Sequence, residues 1–427
     1  MSLLLFAALV VAAATAAGQR VVYVAPDASE ETGTGSFTRP YTLAAAVCAV
    51  RGHADGVSVL LRGGDYVLSQ PLVLTAADSG AAGRPVAYMS APGERARLLG
   101  SIGVPTSAFR PVSGSRLPAQ TLVADLRALG VRNASMLGGS TGVGQYKSEL
   151  FMRTRDGSVQ PLQLAQDPNP HPNGTWQWAG YSEILAGNQS WFVLADTASE
   201  VHLNRWRTAV ETGLRLYGHW GNPYDEMQTR RVQSMVPVAR SDRGNFRESG
   251  KGSEYNITFE GSGYDSVVTP GQRFVAVDAV TLLDSPGEYW IDRVALKLYV
   301  YPPVPLRELD NEASRTSGRT PFVLSVVPPP GSDKSLDLEN QGLIELRGAS
   351  HVRLVNLTLA ASTRSLLVTN ASTGLSIEDC SLVGAAGDCA SIQNTANTQL
   401  LRTTIAFCGG TGLTLTGGSW SDFSIAP

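Results

Sequence analysis

The feature that most constrains this chain is a repeat near its end. From Leu343 onward, short apolar runs recur at a nearly fixed interval. Leu354, Ile377 and Leu400 stand 23 and 23 residues apart, and Leu359, Leu382 and Ile405 repeat that step. Between them lie Leu346, Val368, Ile392 and Leu415, at steps of 22, 24 and 23. Three short strands per repeat of this length predict an all-β, parallel solenoid. A single coil cannot bury its apolar side alone; it buries it against the next coil, about 4.8 Å away. Like residues then stack. Asn370 and Asn394 are therefore expected to form a buried asparagine ladder at one corner, where Asn tolerates a left-handed backbone. An antiparallel sandwich also has short strands, but it imposes no such steady register.

Composition narrows the partners. Charged residues make up 17% of the chain, against about 25% in a typical globular domain. Lys+Arg number 34 and Asp+Glu 37, a net charge of -3. That argues against nucleic acid held by phosphate neutralisation and against a polybasic membrane anchor. Met1 to Ala17, MSLLLFAALVVAAATAA, reads as a secretory signal peptide. It is too short for a comfortable transmembrane helix, and no later stretch is long enough for a transmembrane segment. A secreted, extracellular protein is expected. Sequons at Asn133, Asn173, Asn188, Asn256, Asn356 and Asn370 agree with a glycoprotein.

Four cysteines are too few for a disulfide scaffold. Cys380, Cys389 and Cys408 lie close enough in sequence for one bridge, with one left over. Cys48 sits in TLAAAVCAVR, Thr42 to Arg51, a short helix with Thr42 as N-cap. It is expected to be a small buried residue there, with the helix covering the open end of the first coil. No CxxC or Cys/His cluster suggests a metal, and no motif suggests a cofactor.

Several segments carry a family resemblance. VYVAPDASEETGTGSFTRPYTLAAAV, then LLRGGDYVLSQPLVLTAADSGAAGRPVAYMSAPGERARLLG, resembles the N-terminus of secreted right-handed parallel β-helix proteins of the pectin-lyase-like superfamily. SELFMRTRDGSVQPLQLAQDPNP from Ser148 and DSPGEYWIDRVALKLYVYPP from Asp284 are similar to segments of the same group. The pattern is similar to that of β-helical glycoside hydrolases such as families 141 and 120, which include fucosidase, xylanase and xylosidase activities. The resemblance implies a right-handed parallel β-helix of period about 23, an N-terminal capping helix and an inserted β-rich domain. The expected divisions are a signal peptide at 1–17, the helix start at 20–132, the insertion at 133–330 and the later coils at 336–427. The insertion lacks the 23-residue register and holds Trp176, Trp178, Trp191, Trp206, Trp220 and Trp290. One departure stands out: the turn Val294-Ala295-Leu296 has no Gly where a positive φ is usual.

Glycoside hydrolysis needs two carboxyl groups flanking the scissile bond. In a solenoid they belong on the outer face of neighbouring coils. There Thr358, Ser381 and Thr404 are expected to stack, and at the preceding bend Asn356, Asp379 and Arg402. Asp379 is thus a candidate catalytic acid, or a turn residue paired with Arg402. Glu378, between Val355 and Leu401, reads as a solvated edge charge. Asp388 follows Gly387 in a turn equivalent to Arg364 and Thr411; it is a second candidate, or plain turn chemistry. The visible coils show no paired carboxylates. In the insertion, YGHWGNPYDE offers Trp220, Asp225 and Glu226 as sugar-binding residues, or a packed Trp beside a Gly-Asn-Pro turn.

Three functions stay open. One is a glycoside hydrolase acting on extracellular or cell-wall polysaccharide. Another is a non-catalytic glycan-binding or surface structural protein. The third is a polysaccharide lyase, for which Arg347, Arg353, Arg364 and Arg402 lack the accompanying carboxylate cluster. The sequence stops at GGTGLTLTGGSWSDFSIAP with no visible capping element, so further coils carrying the catalytic carboxylates are expected beyond it.

Overall fold

Val57–Leu61 is buried along its whole length, as a strand covered on both faces must be. It pairs in parallel with Arg20–Val24 on one side and Val86–Ser90 on the other. The computed structural model describes residues 20–53, 55–112, 117–137, 148–154, 157–170, 184–195, 200–221, 227–238, 254–261, 266–309, 320–326 and 341–417. Three parallel sheets dominate its two ends. Sheet 1 runs Arg20–Val24, Val57–Leu61, Val86–Ser90, Val352–Val355, Ser376–Glu378, Gln399–Leu401. Sheet 2 runs Gly64–Val67, Ala96–Leu99, Leu357–Ser362, Ser381–Ala385, Thr404–Cys408. Sheet 3 runs Leu72–Thr75, Gly342–Arg347, Ser365–Asn370, Ala390–Gln393, Leu413–Thr416. The chain visits the three sheets in turn, so each visit makes one rung.

The pairing of rungs follows the apolar columns. Leu354 pairs with Ile377 and then Leu400; Leu359 pairs with Leu382 and then Ile405. Most of these side chains meet in one core with Val22, Val24, Leu74 and Leu346. Each fully buried Leu or Ile stabilises by roughly 1.5–3 kcal/mol. In sheet 3 the column departs from expectation. Leu346 pairs with Thr369, then Ile392 and Leu415. Val368 lies on the opposite face, between Glu345 and Ser391. Thr369 is fully buried, yet its hydroxyl meets that of Thr395 at 2.9 Å, so no polar group is stranded.

The backbone enters the left-handed region at matched places on successive rungs. One set is Gly348, Ala371, Asn394 and Gly417; another is Asn356, Asp379 and Arg402; a third is Ala361, Gly384 and Phe407. Asn394 holds its corner, but Asn370 is one residue out of step and pairs with Gln393. Both asparagines are exposed, joined by Asn394 Nδ2 donating to Asn370 Oδ1 at 3.3 Å. The expected buried ladder is therefore a single surface hydrogen bond.

The helix Leu43–Val50 starts where expected, with Thr42 Oγ1 accepting from Ala45 N at 3.2 Å. Leu43, Ala46, Val47 and Val50 pack into the core beside Val22 and Val24, covering the first rung. Cys48 lies off that stripe and is exposed, against the expected burial. Cys389 and Cys408 form a disulfide, and Cys380 is a buried free thiol. Burial pushes that thiol up to about 11.

Ala96–Leu99 pairs directly with Leu357–Ser362, and Leu72–Thr75 with Gly342–Arg347, so the chain between Ala96–Leu99 and Gly342–Arg347 forms an insertion. Its antiparallel strands begin at Ser101, earlier than the expected boundary at 133. Ser101–Val104 pairs with Phe322–Ser325, and Leu122–Asp125 pairs with Lys297–Tyr301. Among the described residues the insertion holds sheets of four, five and seven strands. In the hairpin Glu288–Asp292/Lys297–Tyr301, Leu296 takes φ 54° without a Gly. Asp292 Oδ1 accepts from Val294 N and Ala295 N, and the Leu296 side chain is buried; these contacts hold the turn.

Candidate functional site

The outer face of sheet 2 carries two columns, because alternate residues leave a strand on opposite sides. One column is Asp65, Arg97, Thr358, Ser381, Thr404. The other includes Leu99, Ala360 and Val383, which pack under Phe151, Val159 and Val323 of the insertion. The insertion thus roofs the second column and leaves the hydroxyls of Thr358, Ser381 and Thr404 beside it, with Thr404 exposed. At its upstream end the open column meets a charged latch. Arg153 Nη2 lies 2.7 Å from Asp65 Oδ2, and Arg97 Nη1 lies 3.6 Å from Asp65 Oδ1. Along its flank run the corner residues Asn356, Asp379 and Arg402. The result is a polar strip along the corner between sheets 1 and 2.

Two carboxylates beside this corner, Glu378 and Asp379, are each paired with a guanidinium. Arg402 donates to both Asp379 oxygens, at 2.6 and 2.9 Å. That pairing holds the Asp379 carboxyl below the usual range despite some desolvation. Glu378 is not the solvated edge charge expected. Desolvation opposes its ionisation, but the Ser376 hydroxyl and the bidentate Arg353 outweigh it and hold its carboxyl low. A general acid for glycoside hydrolysis needs the opposite shift, so neither group suits that role.

Asp388 is tied into the next rung: it accepts from Thr411 N at 2.8 Å and from Thr414 Oγ1 at 2.5 Å. Its expected neighbour Arg364 instead donates to Gln341. Trp220 is 1% exposed. Its ring stacks on Phe274, Arg230 lies 4.9 Å from its centroid, and its Nε1 donates to Gln228 O. A ring so enclosed is a core residue and has no face left for a sugar. Asp225 and Glu226 lie outside the described residues, as does Asn173. Among the other sequons, Asn133, Asn188, Asn356 and Asn370 are exposed, whereas Asn256 sits in a strand paired on both sides.

Two carboxyls with raised affinity for protons lie elsewhere, in the insertion. Burial pushes Glu149 upward against the pull of Arg293, whose Nη2 lies 2.6 Å from Glu149 Oε2. Burial also pushes Glu288 up to about 8, against N–H bonds from Asp284, Ser285 and Gln166. Both are nearly inaccessible. They lie apart: Glu149 N donates to the Tyr289 hydroxyl, and Tyr289 and Glu288 leave their strand on opposite faces. An acidic residue inside an apolar strand run, as in GEYWI, was the available signal for them. Among the described residues no three His, Cys, Asp or Glu side chains converge as a metal site requires. No described helix is long and apolar enough to cross a membrane.

No family model and no curated protein matches the chain. Among solved structures, one described as "Glycoside hydrolase" superposes with a TM-score of 0.55 at 14% identity, over 89% of this chain and 65% of that one. The likeness is one of fold. The chain spans about two-thirds of that structure's length. A second, "The complex structure of XylC with xylose", gives a TM-score of 0.30 at 10% identity, over 92% and 60% of the two chains. At that score it carries no argument.

Proposed function

We propose that this is a secreted carbohydrate-active protein whose polysaccharide ligand lies along the polar strip of sheet 2. The observation that carries the reading is the row of hydroxyls on Thr358, Ser381 and Thr404 beside the amide, carboxylate and guanidinium of Asn356, Asp379 and Arg402. Donors and acceptors repeating about every 4.8 Å suit a polymer of like units. The fold shared with a glycoside hydrolase supports a glycan as that polymer. We read the architecture as a right-handed parallel β-helix of period about 23, interrupted by a β-rich insertion. In this reading Met1 to Ala17 directs export, and Asn133, Asn188 and Asn370 carry N-glycans. Asn356 lines the strip, where its own glycan would occupy the ligand's place, so it stays bare.

Binding is favoured over hydrolysis because Glu378 and Asp379 are held low by their arginine partners, opposite to what a general acid needs. Electrophoresis through gels containing xylan, fucan or pectin, alongside a reducing-sugar assay, tests the reading. At least one polymer should retard the protein, and Asp379→Asn or Arg402→Ala should weaken that retardation several-fold. Sugar release that disappears in Asp379→Asn would make the protein a hydrolase instead. Absence of retardation in every gel would overturn the reading.

A further inference from the structure

The corner that carries Asn356, Asp379 and Arg402 continues upstream on the first two rungs. There the chain passes from sheet 1 to sheet 2 through Arg62-Gly63 and through Ala91 to Arg95. On this same edge stands Phe37, with 57% of its surface open to solvent.

Phe37 is held by its surroundings. The turn from Thr34 to Arg39 is closed by Thr34 N donating to Arg39 O at 2.8 Å and by Arg39 N donating to Ser36 Oγ at 3.2 Å. Tyr23 N anchors the turn to the first strand through Gly35 O at 2.8 Å. Gly35 has φ +74°, and a Cβ there would stand 2.4 Å from the Tyr41 ring; only glycine lets the loop lie this close. The Tyr23 ring meets Phe37 edge-to-face with centroids 5.3 Å apart. The Arg62 guanidinium lies 4.5 Å from the Phe37 centroid. Arg62 is itself fixed, Nε donating to Glu94 Oε1 at 2.8 Å, while Glu94 Oε2 accepts from Gly63 N at 2.5 Å. An exposed ring costs hydrophobic stabilisation, and this one is locked in place beside a guanidinium and a carboxylate.

We infer that Phe37, Arg62 and Glu94 form a further subsite of the polysaccharide strip, holding one neutral pyranose residue at its N-terminal end. The ring offers an apolar surface for the sugar's C–H face. Arg62 supplies donors from its Nη groups, and Glu94 supplies spare acceptor positions for hydroxyls. The carboxylate disfavours an acidic sugar here. From the Arg62 rung to the Arg402 rung is four steps, about 19 Å at the spacing of paired strands. A long oligosaccharide therefore reaches both ends, and a short one reaches only one.

The inference rests on the proposed glycan binding, and the experiment separates the two. Wild type and Phe37→Ala are compared by electrophoresis in the xylan, fucan and pectin gels, then by titration with a hexasaccharide and a disaccharide of the retarding polymer. Phe37→Ala should weaken polymer and hexasaccharide binding roughly five- to tenfold, the range of one aromatic contact. Phe37→Trp should restore it, with the thermal midpoint unchanged in both variants. Disaccharide binding at the Asp379 end should not change. A wild type retarded by one gel, with Phe37→Ala equally retarded, would overturn the subsite alone. A wild type retarded by none would overturn glycan binding and the subsite with it.

Discussion

Ala361 and Gly384 occupy the same left-handed corner on neighbouring rungs, with φ 52° and 76°, and only the first carries a Cβ. A Cβ at Gly384 would lie 2.4 Å from Phe151 Cε1, and Phe151 is fully buried under the insertion. The ring cannot yield, so the overlap adds to the backbone cost. Gly384→Ala should lower stability by roughly 2–4 kcal/mol. Ala371 is the converse case. It sits exposed at φ 52° where the neighbouring rungs place Gly348, Asn394 and Gly417. Ala371→Gly relieves left-handed strain with nothing to lose in packing, and should stabilise by roughly 0.5–1 kcal/mol. Urea unfolding of the two variants beside wild type checks both signs; a stable Gly384→Ala would show that Phe151 moves freely. These corners also explain how residues as unlike as Asp379 and Arg402 come to face one another. The backbone fixes the position, and the side chains are free to pair.

At the scale of elements, Glu288 opens the strand Glu288–Asp292 with its carboxyl buried. Burial raises it from 4.5 to about 8, so the folded protein binds a proton that the unfolded chain releases. Its stabilising contribution is complete below about pH 4.5 and is lost as pH climbs through about 8. Between pH 5 and 8 that loss amounts to roughly 3 kcal/mol. Glu288→Gln keeps an oxygen for the backbone donors and removes the titration. Its unfolding free energy should therefore fall less steeply over that range than the wild type's, and equal slopes would place the buried proton elsewhere. The same strand shows what the sequence conceals. The parallel columns were legible because Leu, Ile and Val recur at one step. Thr369 broke the pattern because a polar residue fills an apolar position once its hydroxyl finds Thr395. The antiparallel pairing of Leu122–Asp125 with Lys297–Tyr301 leaves no periodic mark, since the partners lie far apart in sequence. A buried Glu in a strand looks like a surface Glu until its neighbours are known.

At the scale of the whole molecule, the question is what fixes the insertion over sheet 2, since that placement decides which column stays open. Apolar contact contributes through Phe151, Val159 and Val323 against Leu99, Ala360 and Ala361. One polar fastening is Arg153, which reaches Asp65 at 2.7 Å and donates from Nε to Thr320 O at 3.0 Å. Its side chain is 8% exposed and that of Asp65 18%, so the pair is only weakly screened by water. Removing one partner of such a pair strands the other, with Arg97 at 3.6 Å left to compensate. Arg153→Met keeps the apolar stem and deletes the charge. It should cost about 3 kcal/mol, and the loss should be local. Amide hydrogen exchange should quicken in Leu150–Arg153 and Phe322–Ser325, the strands carrying the fastening, while the core strands of sheet 1 keep their protection. Glycan retardation should persist, because the hydroxyl column belongs to the rungs. Quickening spread evenly over sheets 1 and 2 would mean that the insertion and the rungs unfold as one unit.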